Sequence, residues 1–237
     1  MDKACPARVS LLGVWLDRFT FNDFLNRLDE DLSAGRRGYV VTPNVDHIVR
    51  LKKDAEFRQV YANARFVVPD GVPLLWAAKW LGAPFPERIA GADLFPRLCR
   101  LAAVRGYSLY FLGASTAVCQ QVKAQLENLY PGIKIAGYYS PPFGFEKSEA
   151  ELKQIRRRLT KASPDIVFLG LGTPKQEKLI PRLLPHVPVK LFVGVGAALQ
   201  FFTGEKNAPP MGAASRVGMG LSAAIRTQAP MEKISNR

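Results

Sequence analysis

The sequence predicts an α/β fold in which helices flank a mostly parallel sheet. Short apolar runs that end in Gly or Asp alternate along the chain with amphipathic stretches of helical length. This alternation is typical of βαβ units, whose right-handed crossovers bring the carboxyl ends of the strands to one edge of the sheet. The 237 residues, 48% of them hydrophobic, suffice for one large domain with its own core.

Seven segments carry the strand pattern, because they are rich in β-branched and aromatic residues and end at turn residues. They are RVSLLGVWL at 8–16, GYVVTPN at 38–44, ARFVVPDG at 64–71, YSLYFLGAS at 107–115, IKIAGYYS at 133–140, DIVFLGLGT at 165–173 and VKLFVGVGA at 189–197. Amphipathic periodicity predicts seven helices. They are Phe21–Leu32, Val45–Tyr61, Leu74–Leu81, Ala92–Arg105, Thr116–Leu129, Lys147–Lys161 and Lys175–Leu184.

The charge balance limits the classes of partner. Lys and Arg number 33 against 20 Asp and Glu, which gives a net charge of +13 and favours nucleic acid, acidic lipid or a phosphorylated small molecule. The three cysteines (Cys5, Cys99 and Cys119) are too few and too far apart for a disulfide scaffold. No signal peptide is recognised, and the apolar stretch Leu191–Phe202 is shorter than the roughly 20 residues that span a bilayer. We therefore expect a soluble protein or one bound at a membrane surface.

Three of the predicted strand ends share one form, an apolar run followed by Gly and small residues that begin a helix. They are FLGAST at 111–116, GLGTPKQE at 170–177 and GVGAA at 194–198. Glycine lets backbone N–H groups approach an anion, and a helix N-terminus adds about half a positive charge. Lys175 is expected to stand over a phosphate at this place. The three junctions therefore favour a phosphorylated ligand, although tight βα turns would produce the same pattern.

Polar residues follow two other strands. Thr42 and Asn44 come directly after one, and Asp70 follows the apolar run at 66–68. Asp70 is well placed to act as a general base, but it could equally cap the helix that begins near residue 72. Arg88 and Asp93 lie in a loop between helical stretches, where an arginine is usually solvated.

Several common sites are missing from the sequence. There is no GxGxxG, P-loop or GxSxG pattern. The DxD sequence at 29–31 ends an amphipathic helix and is interpreted as a solvated helix end. His47 and His186 have no cysteine or carboxylate at metal-ligand spacing. We therefore expect no metal site and no cofactor.

Taken together, six blocks resemble the WecG/TagA/CpsF family of bacterial glycosyltransferases. They occur in family order between about residue 8 and Pro209: TPNVDH at 42–47, VPDG at 68–71, ERIAG at 87–91, YSPPFGF at 139–145, GTPKQEK at 172–178 and GVGAA at 194–198. The resemblance implies a Rossmann-like sheet and an inverting, metal-independent transfer. The donor would be a UDP-sugar carrying a hexose or hexosamine, often N-acetylmannosamine. The acceptor would be a polyprenyl-diphosphate-linked sugar in cell-surface polysaccharide synthesis.

The resemblance also implies roles for individual residues. Asp70 is the candidate base, Thr42 and Asn44 would lie beside it, and Gln176 would contact the donor sugar. Substrate binding is expected at Arg88, Gly113, Tyr138, Tyr139, Gly172, Thr173, Lys175, Gly194, Gly196 and Gln200. At Gln200 members of the family commonly carry an Asp that is linked with nucleotide recognition, so this position departs from the pattern.

The resemblance further implies an enzyme that is cytoplasmic and peripheral on the inner face of the membrane, and it allows a homo-oligomer. Two alternatives belong to other classes. A basic nucleic-acid-binding module agrees with the charge, but the sequence has no basic run with interleaved aromatic residues. A nucleotide-cofactor oxidoreductase is disfavoured because the dinucleotide fingerprint is missing.

The chain departs from the family pattern after Pro209. We expect the α/β domain at 1–209 and, at 210–237, an aberrant tail in place of the family's basic, Trp-rich membrane-contacting appendage. Reading one base later turns every Met-Gly or Met-Glu pair into tryptophan, which happens at Met211, Met219 and Met231. We therefore hypothesise an extra base near the Pro209 codon, and we expect residues 211–237 to pack poorly and activity to be weak.

Overall fold

The computed structural model describes residues 8–205, and the architecture is α/β, as the sequence predicts. The elements are β1 (Arg8–Leu11), β2 (Val14–Asp17), α1 (Phe21–Ser33), β3 (Gly38–Val41), α2 (Val45–Lys53), α3 (Ala55–Ala62), β4 (Phe66–Val67), α4 (Val72–Trp80), α5 (Gly91–Arg105), β5 (Ser108–Leu112), α6 (Thr116–Leu129), β6 (Lys134–Tyr139), α7 (Glu149–Ala162), β7 (Ile166–Leu169), α8 (Lys175–Leu183), β8 (Leu191–Gly194) and α9 (Ala198–Thr203). The predicted boundary after Pro209 and the predictions for Cys5 and residues 210–237 lie outside the described residues.

Six strands form one sheet in the order β4-β3-β8-β7-β5-β6, and every pairing in it is parallel. Strand β7 is buried along its whole length, as expected for a strand covered on both faces. Its side chains alternate between two apolar clusters, with Val167 in one and Phe168 in the other. The core therefore consists of two layers, one on each face of the sheet, which agrees with the Rossmann-like prediction.

The segment at 8–16, predicted to be one strand, is an antiparallel hairpin of β1 and β2, so that prediction was wrong. The turn residues Leu12 and Gly13 both have positive φ, of 52° and 83°. A two-residue turn with two positive φ values matches the right-handed twist of a hairpin. The usual Asn-Gly signal is missing because leucine occupies the first turn position.

The single helix predicted at 45–61 is also wrong, since α2 and α3 are separate helices. The break lies at Asp54, which has extended backbone dihedrals and caps α3 by accepting a hydrogen bond from the backbone N–H of Phe57. Periodicity continues through the break because Leu51 and Phe57 both face the core. An aspartate at an N-cap competes with helix continuation, which explains the division.

The DxD segment is not a solvated helix end, contrary to the sequence-based interpretation. Asp31 is 5% exposed and accepts hydrogen bonds from Arg36 and Arg65. Asp29 pairs with Arg105. These contacts join α1 to α5 and to the segments just before β3 and β4. The carboxylates of Asp29 and Asp31 therefore hold parts of the fold together through ion pairs with arginines.

The loops after β3, β4, β5, β7 and β8 all lie at one edge of the sheet, because the strands are parallel. Helices α2, α4, α6, α8 and α9 begin at this edge and direct their partly positive N-termini toward it. We call this edge the carboxyl edge. In open α/β sheets it is the place where ligands bind. Among residues 8–205 no helix is both long enough and apolar enough to cross a membrane.

Candidate active site

Asp70 lies at the carboxyl edge, three residues beyond the end of β4. Its backbone N–H donates to the carbonyl oxygen of Pro43 over 3.0 Å, which extends the β3–β4 pairing into the loops. Gly71 is the N-cap of α4 and no side chain caps that helix. The alternative that Asp70 serves as a helix cap is therefore wrong, and its carboxyl group is available for another role.

Burial raises the pKa of Asp70 to about 6, and the negative charge of Asp93 acts in the same direction. The positive charge of Arg88 and a backbone hydrogen bond from Gly91 lower it. Burial has the larger effect. The carboxyl group is therefore ionised at neutral pH but binds a proton far more readily than an exposed aspartate.

Arg88 is placed beside Asp70 by the return of the chain from α4. The backbone N–H of Ile89 donates to the carbonyl oxygen of Pro69 over 2.9 Å. Arg88 Nη2 donates to Asp93 Oδ2 at 2.9 Å, and both side chains are mostly buried. The interpretation of Arg88 as a solvated loop residue is wrong, since the structure holds it in an ion pair close to the candidate base.

Thr42 and Asn44 follow β3 and lie next to the Asp70 loop. Thr42 is buried, and Asn44 caps α2 by accepting a hydrogen bond from the backbone N–H of His47 at 3.1 Å. A Cβ atom on Gly71 would be 3.5 Å from the Cα atom of Asn44, so the two loops are in contact. The loops that carry Thr42, Asn44 and Asp70 are thus adjacent, and catalytic roles for Thr42 and Asn44 stay predictions.

The end of β8 adjoins the same loops. A Cβ atom on Gly91 would be 3.4 Å from the Cα atom of Val195, which precedes Gly196. Gly91 is also the residue whose backbone hydrogen-bonds Asp70. Asp70 and the Gly196 turn are therefore on one edge, and the backbone of Gly91 lies between them.

Gln176, in the first turn of α8, connects this helix to the loop after β8. Its Oε1 accepts a hydrogen bond from the backbone N–H of Gly196 at 3.1 Å, and its Nε2 donates to Glu177 Oε1 at 2.7 Å. A Cβ atom on Gly194 would lie 2.9 Å from this Nε2, so glycine leaves the room that the buried glutamine fills. The structure thus gives Gln176 and Gly194 a packing role, and the contact of Gln176 with a donor sugar stays a prediction.

The glycine junctions offer fewer backbone donors than the sequence suggests. The N–H of Gly113 donates to the carbonyl oxygen of Tyr139 at 2.9 Å, and that of Gly196 is bonded to Gln176. Gly172 has a φ of +75°, and a Cβ atom added to it would meet no atom within 4 Å, so open space adjoins it. Gly172 and Gly196 leave open space into which a ligand can come close to the backbone. Substrate contacts at all the glycines stay predictions.

A buried polar network that sequence reasoning missed lies behind the Thr173 turn. His47 Nε2 contacts Thr173 Oγ1 and His47 Nδ1 contacts the hydroxyl of Tyr61, both at 2.6 Å. Thr173 donates in turn to Glu177 Oε1 at 3.3 Å. Desolvation lowers the pKa of His47 to about 4, so the ring is neutral and one nitrogen must accept. The signal was present, because His47 and Glu177 fall inside blocks TPNVDH and GTPKQEK.

Glu177 is 2% exposed, and its Oε2 has no hydrogen-bond partner among the described residues. Desolvation raises the pKa of this carboxyl group, while hydrogen bonds from Gln176 and Thr173 lower it. Burial raises the pKa of Tyr61, and the charges of Glu177 and Asp70 add to this effect, which places the network close to the candidate base. The network links α2, α3 and α8 directly beneath the carboxyl edge.

Four other candidates are Tyr138, Tyr139, Lys175 and Gln200. Tyr138 and Tyr139 are on β6, five strand spacings or roughly 24 Å from β4. The Tyr139 hydroxyl bonds to Glu151 on α7. Lys175 Nζ is paired with Glu146 at 2.9 Å, so it does not stand free over an anion site. Gln200 lies on α9 with a buried Oε1 that has no hydrogen-bond partner within residues 8–205.

Two further observations concern binding. Within residues 8–205 no group of three or more His, Cys, Asp or Glu side chains is arranged to hold a metal ion. A cavity of about 600 Å³ lies between the hairpin and helices α2 and α3. It is lined by none of the predicted site residues.

In open α/β sheets of this kind ligands bind at the carboxyl ends of the strands, and at that edge Asp70 offers a carboxylate able to accept a proton. Residues 9–220 match the Glycosyl transferase WecG/TagA/CpsF family. The chain belongs to this family, as its sequence blocks suggest, and it is a glycosyltransferase.

Its relatives include three enzymes named N-acetylglucosaminyldiphosphoundecaprenol N-acetyl-beta-D-mannosaminyltransferase. The protein of Bacillus spizizenii is 31% identical over 179 residues, 75% of this chain and 67% of its own length. That of Bacillus subtilis is 28% identical over 193 residues, 80% and 72% of the two chains. That of Staphylococcus aureus is 26% identical over 211 residues, 88% and 81% of the two chains. The family assignment argues against both alternatives, the nucleic-acid-binding module and the oxidoreductase.

Proposed function

We propose that this glycosyltransferase moves an N-acetylmannosamine residue from a UDP-sugar to N-acetylglucosaminyl-diphosphoundecaprenol. The names of the relatives support the sugar and the acceptor. The observation that carries the mechanism is the half-buried Asp70 at the carboxyl edge, whose backbone N–H bonds to Pro43 and whose carboxyl group accepts a hydrogen bond from the backbone of Gly91.

In the proposed reaction Asp70 removes the proton from the acceptor hydroxyl as that oxygen attacks C1 of the donor sugar. The bond between C1 and the diphosphate oxygen breaks, and its electron pair leaves with UDP. Attack from the face opposite UDP inverts the configuration at C1. One proton ends on Asp70, and its pKa of about 6 keeps the group ionised at neutral pH before the reaction.

The leaving diphosphate requires positive charge. Five helices direct their N-termini to this edge, where each supplies a partial positive charge, and Arg88 adds a full positive charge at the same edge. We propose that these groups stabilise the departing UDP without a metal ion. Thr42, Asn44 and Gln176 would position the sugars, and Gln200 would face the nucleoside.

A lipid-linked acceptor requires the enzyme to work at a membrane. We propose that the protein binds peripherally to the cytoplasmic face of the membrane, where nucleotide sugars are made. The positive net charge supports attraction to anionic lipid. A homo-oligomer is compatible with this arrangement.

The proposal is tested by incubating the full chain with UDP-N-acetylmannosamine and N-acetylglucosaminyl-diphosphoundecaprenol. We expect a product heavier by one N-acetylhexosamine, inverted at C1, that also forms in the presence of a chelator. Asp70→Asn should lower turnover at least about 100-fold while UDP still binds. Glu127→Gln, which changes an exposed carboxylate on α6, serves as the control. Failure to transfer with this pair and a panel of other UDP-sugars, or full turnover of Asp70→Asn, would contradict the proposal.

A further inference from the structure

Helix α4 is apolar on both of its faces. Leu74 and Ala78 are buried and pack in the core. On the opposite side Trp76 is 64% exposed and Trp80 is 90% exposed. A helix that is apolar all round is normally enclosed by protein or lipid. The outer side of α4 is thus an apolar surface that the rest of residues 8–205 leaves exposed.

The exposed residues of this region form one surface, which we call the α4 face: Trp76, Lys79, Trp80 and Leu81. Trp76 and Trp80 are four residues apart and so lie on the same side of the helix. Leu81 follows directly and is 66% exposed. Lys79 is the one charged residue of the helix. Two indole rings next to a lysine match the composition found where proteins meet lipid headgroups.

The α4 face is connected to the candidate active site at both of its ends. The helix begins two residues after Asp70, and the chain that follows it returns to Arg88, whose charge acts on Asp70. The segment at 71–87 therefore starts and finishes at the site. Any surface that docks on α4 is held close to the candidate base.

We infer that the α4 face docks on the surface of a bilayer that contains anionic lipid, with the indole rings at headgroup level. The inference rests on the proposed function, because a lipid-linked acceptor must be reached from the membrane. Docking here places Asp70 near the level at which an acceptor diphosphate leaves the headgroup region.

Charge favours a bilayer over a protein partner. The chain has a net charge of +13, which is attracted to anionic lipid and opposes close approach of a second copy. Indole rings combine a large apolar surface with an N–H group that bonds at the wet boundary. Binding should therefore combine a salt-sensitive part from the basic residues with an apolar part from Trp76 and Trp80 that persists at high salt.

The tryptophan content allows a direct test. The chain has three tryptophans, at positions 15, 76 and 80. Trp15→Phe leaves emission only from the α4 face, and Trp15 is itself 58% exposed, so the change should not disturb the fold. Adding vesicles of phosphatidylethanolamine and brominated phosphatidylglycerol should shift this emission to the blue and quench it. Vesicles of phosphatidylcholine alone should give a much smaller effect.

The second measurement is flotation of the full chain with phosphatidylglycerol-containing vesicles. The double variant Trp76→Ser, Trp80→Ser should bind roughly tenfold more weakly, with unchanged circular dichroism and melting temperature. Trp15→Ser is the matched control, because it removes an exposed tryptophan from the hairpin. This control should float as the unaltered chain does.

Three results would overturn the inference: no vesicle binding, binding without bromine quenching, or equal binding by the double variant. Concentration-dependent self-association that the double variant loses, again without quenching, would identify an interface between copies instead. The double variant should retain transfer to a short-chain, water-soluble acceptor and lose it with acceptor embedded in vesicles. Quenching without transfer to any acceptor would refute the proposed function and leave the docking surface standing.

Discussion

Asp70 is the candidate general base, and keeping its carboxylate ionised in a largely desolvated place lowers the stability of the fold. The position just after an apolar strand identified it as a candidate, but the sequence left a base and a helix cap as equal alternatives. The structure decides against the cap, because Gly71 occupies that position without a side-chain bond. Arg88 could not be placed from sequence, since its pairing with Asp93 and its effect on Asp70 depend on how the chain returns from α4.

Replacing Asp70 with Asn should stabilise the fold. The pKa is about 6 in the fold against a reference value of 3.8, so the folded state holds the proton more tightly. Ionised Asp70 therefore lowers stability above pH 6, and this loss disappears below about pH 4. Urea denaturation should show Asp70→Asn more stable by about 1–3 kcal/mol at pH 8, with the difference vanishing at low pH. If Asp70→Asn were no more stable than the unaltered protein at pH 8, burial would not destabilise the ionised form of this carboxyl group.

The acidic limb of the kcat/KM profile should report the charges around Asp70. The limb is expected near pH 6, because protonated Asp70 cannot act as a base. Arg88→Gln removes a charge that lowers the pKa, so the limb should move to higher pH. Asp93→Asn removes a charge that raises it and should move the limb the other way. If both variants moved the midpoint of the limb in the same direction, or not at all, the limb would belong to another group. This test uses the position of the midpoint and not the maximal kcat/KM.

At the scale of elements, hydrophobic patterning predicted the kind and order of nearly all helices and strands. It failed where a single residue changes the backbone, at the turn of Leu12 and at the cap of Asp54. It also missed the bridge between His47 and Thr173, which are far apart in sequence and meet only because β3 and β7 end at the same edge. Hydrophobic patterning predicts which residues are buried, but it does not predict which polar groups form hydrogen bonds with each other.

The hairpin should become more stable when Leu12 is replaced with Asn. Leu12 has a φ of +52°, which costs a leucine about 1 kcal/mol and an asparagine less, and it is 55% exposed, so little packing is lost. Thermal denaturation should show a gain of about 0.5–1 kcal/mol. Leu12→Ala controls for the loss of the apolar side chain, and it should not stabilise the protein to the same extent.

The network beneath the carboxyl edge should be essential for stability. His47→Phe keeps a ring but removes the bonds to Tyr61 and Thr173, and it leaves the buried Tyr61 hydroxyl without this partner. We expect a loss of about 2–4 kcal/mol in the free energy of unfolding at pH 7.5. His186→Phe is the control, because His186 lies exposed in a short turn before β8 and should change stability little. Equal effects of the two substitutions would show that the network contributes nothing specific.

At the scale of the whole molecule, the sequence predicted a parallel sheet with one functional edge but not the strand order. That order, β4-β3-β8-β7-β5-β6, places Asp70 at one end of the edge and Tyr138 at the other. Crossover direction decides which strands are neighbours, and it leaves no periodic signal in the chain. The blocks shared with the family identified the loops of the edge, while only the structure shows that the loops after β3, β4 and β8 touch.

The net charge of +13 should speed capture of the anionic donor, because a positive field raises its concentration near the protein. With a short-chain, water-soluble acceptor, kcat/KM for the UDP-sugar should therefore fall several-fold as salt rises from low values to about 0.15 M. Turnover at saturating donor should change little, since field-driven encounter no longer limits the rate. Salt should also leave the melting temperature nearly unchanged, which separates steering from unfolding. A kcat/KM independent of salt would mean that the excess charge faces away from the carboxyl edge and serves contacts other than donor capture.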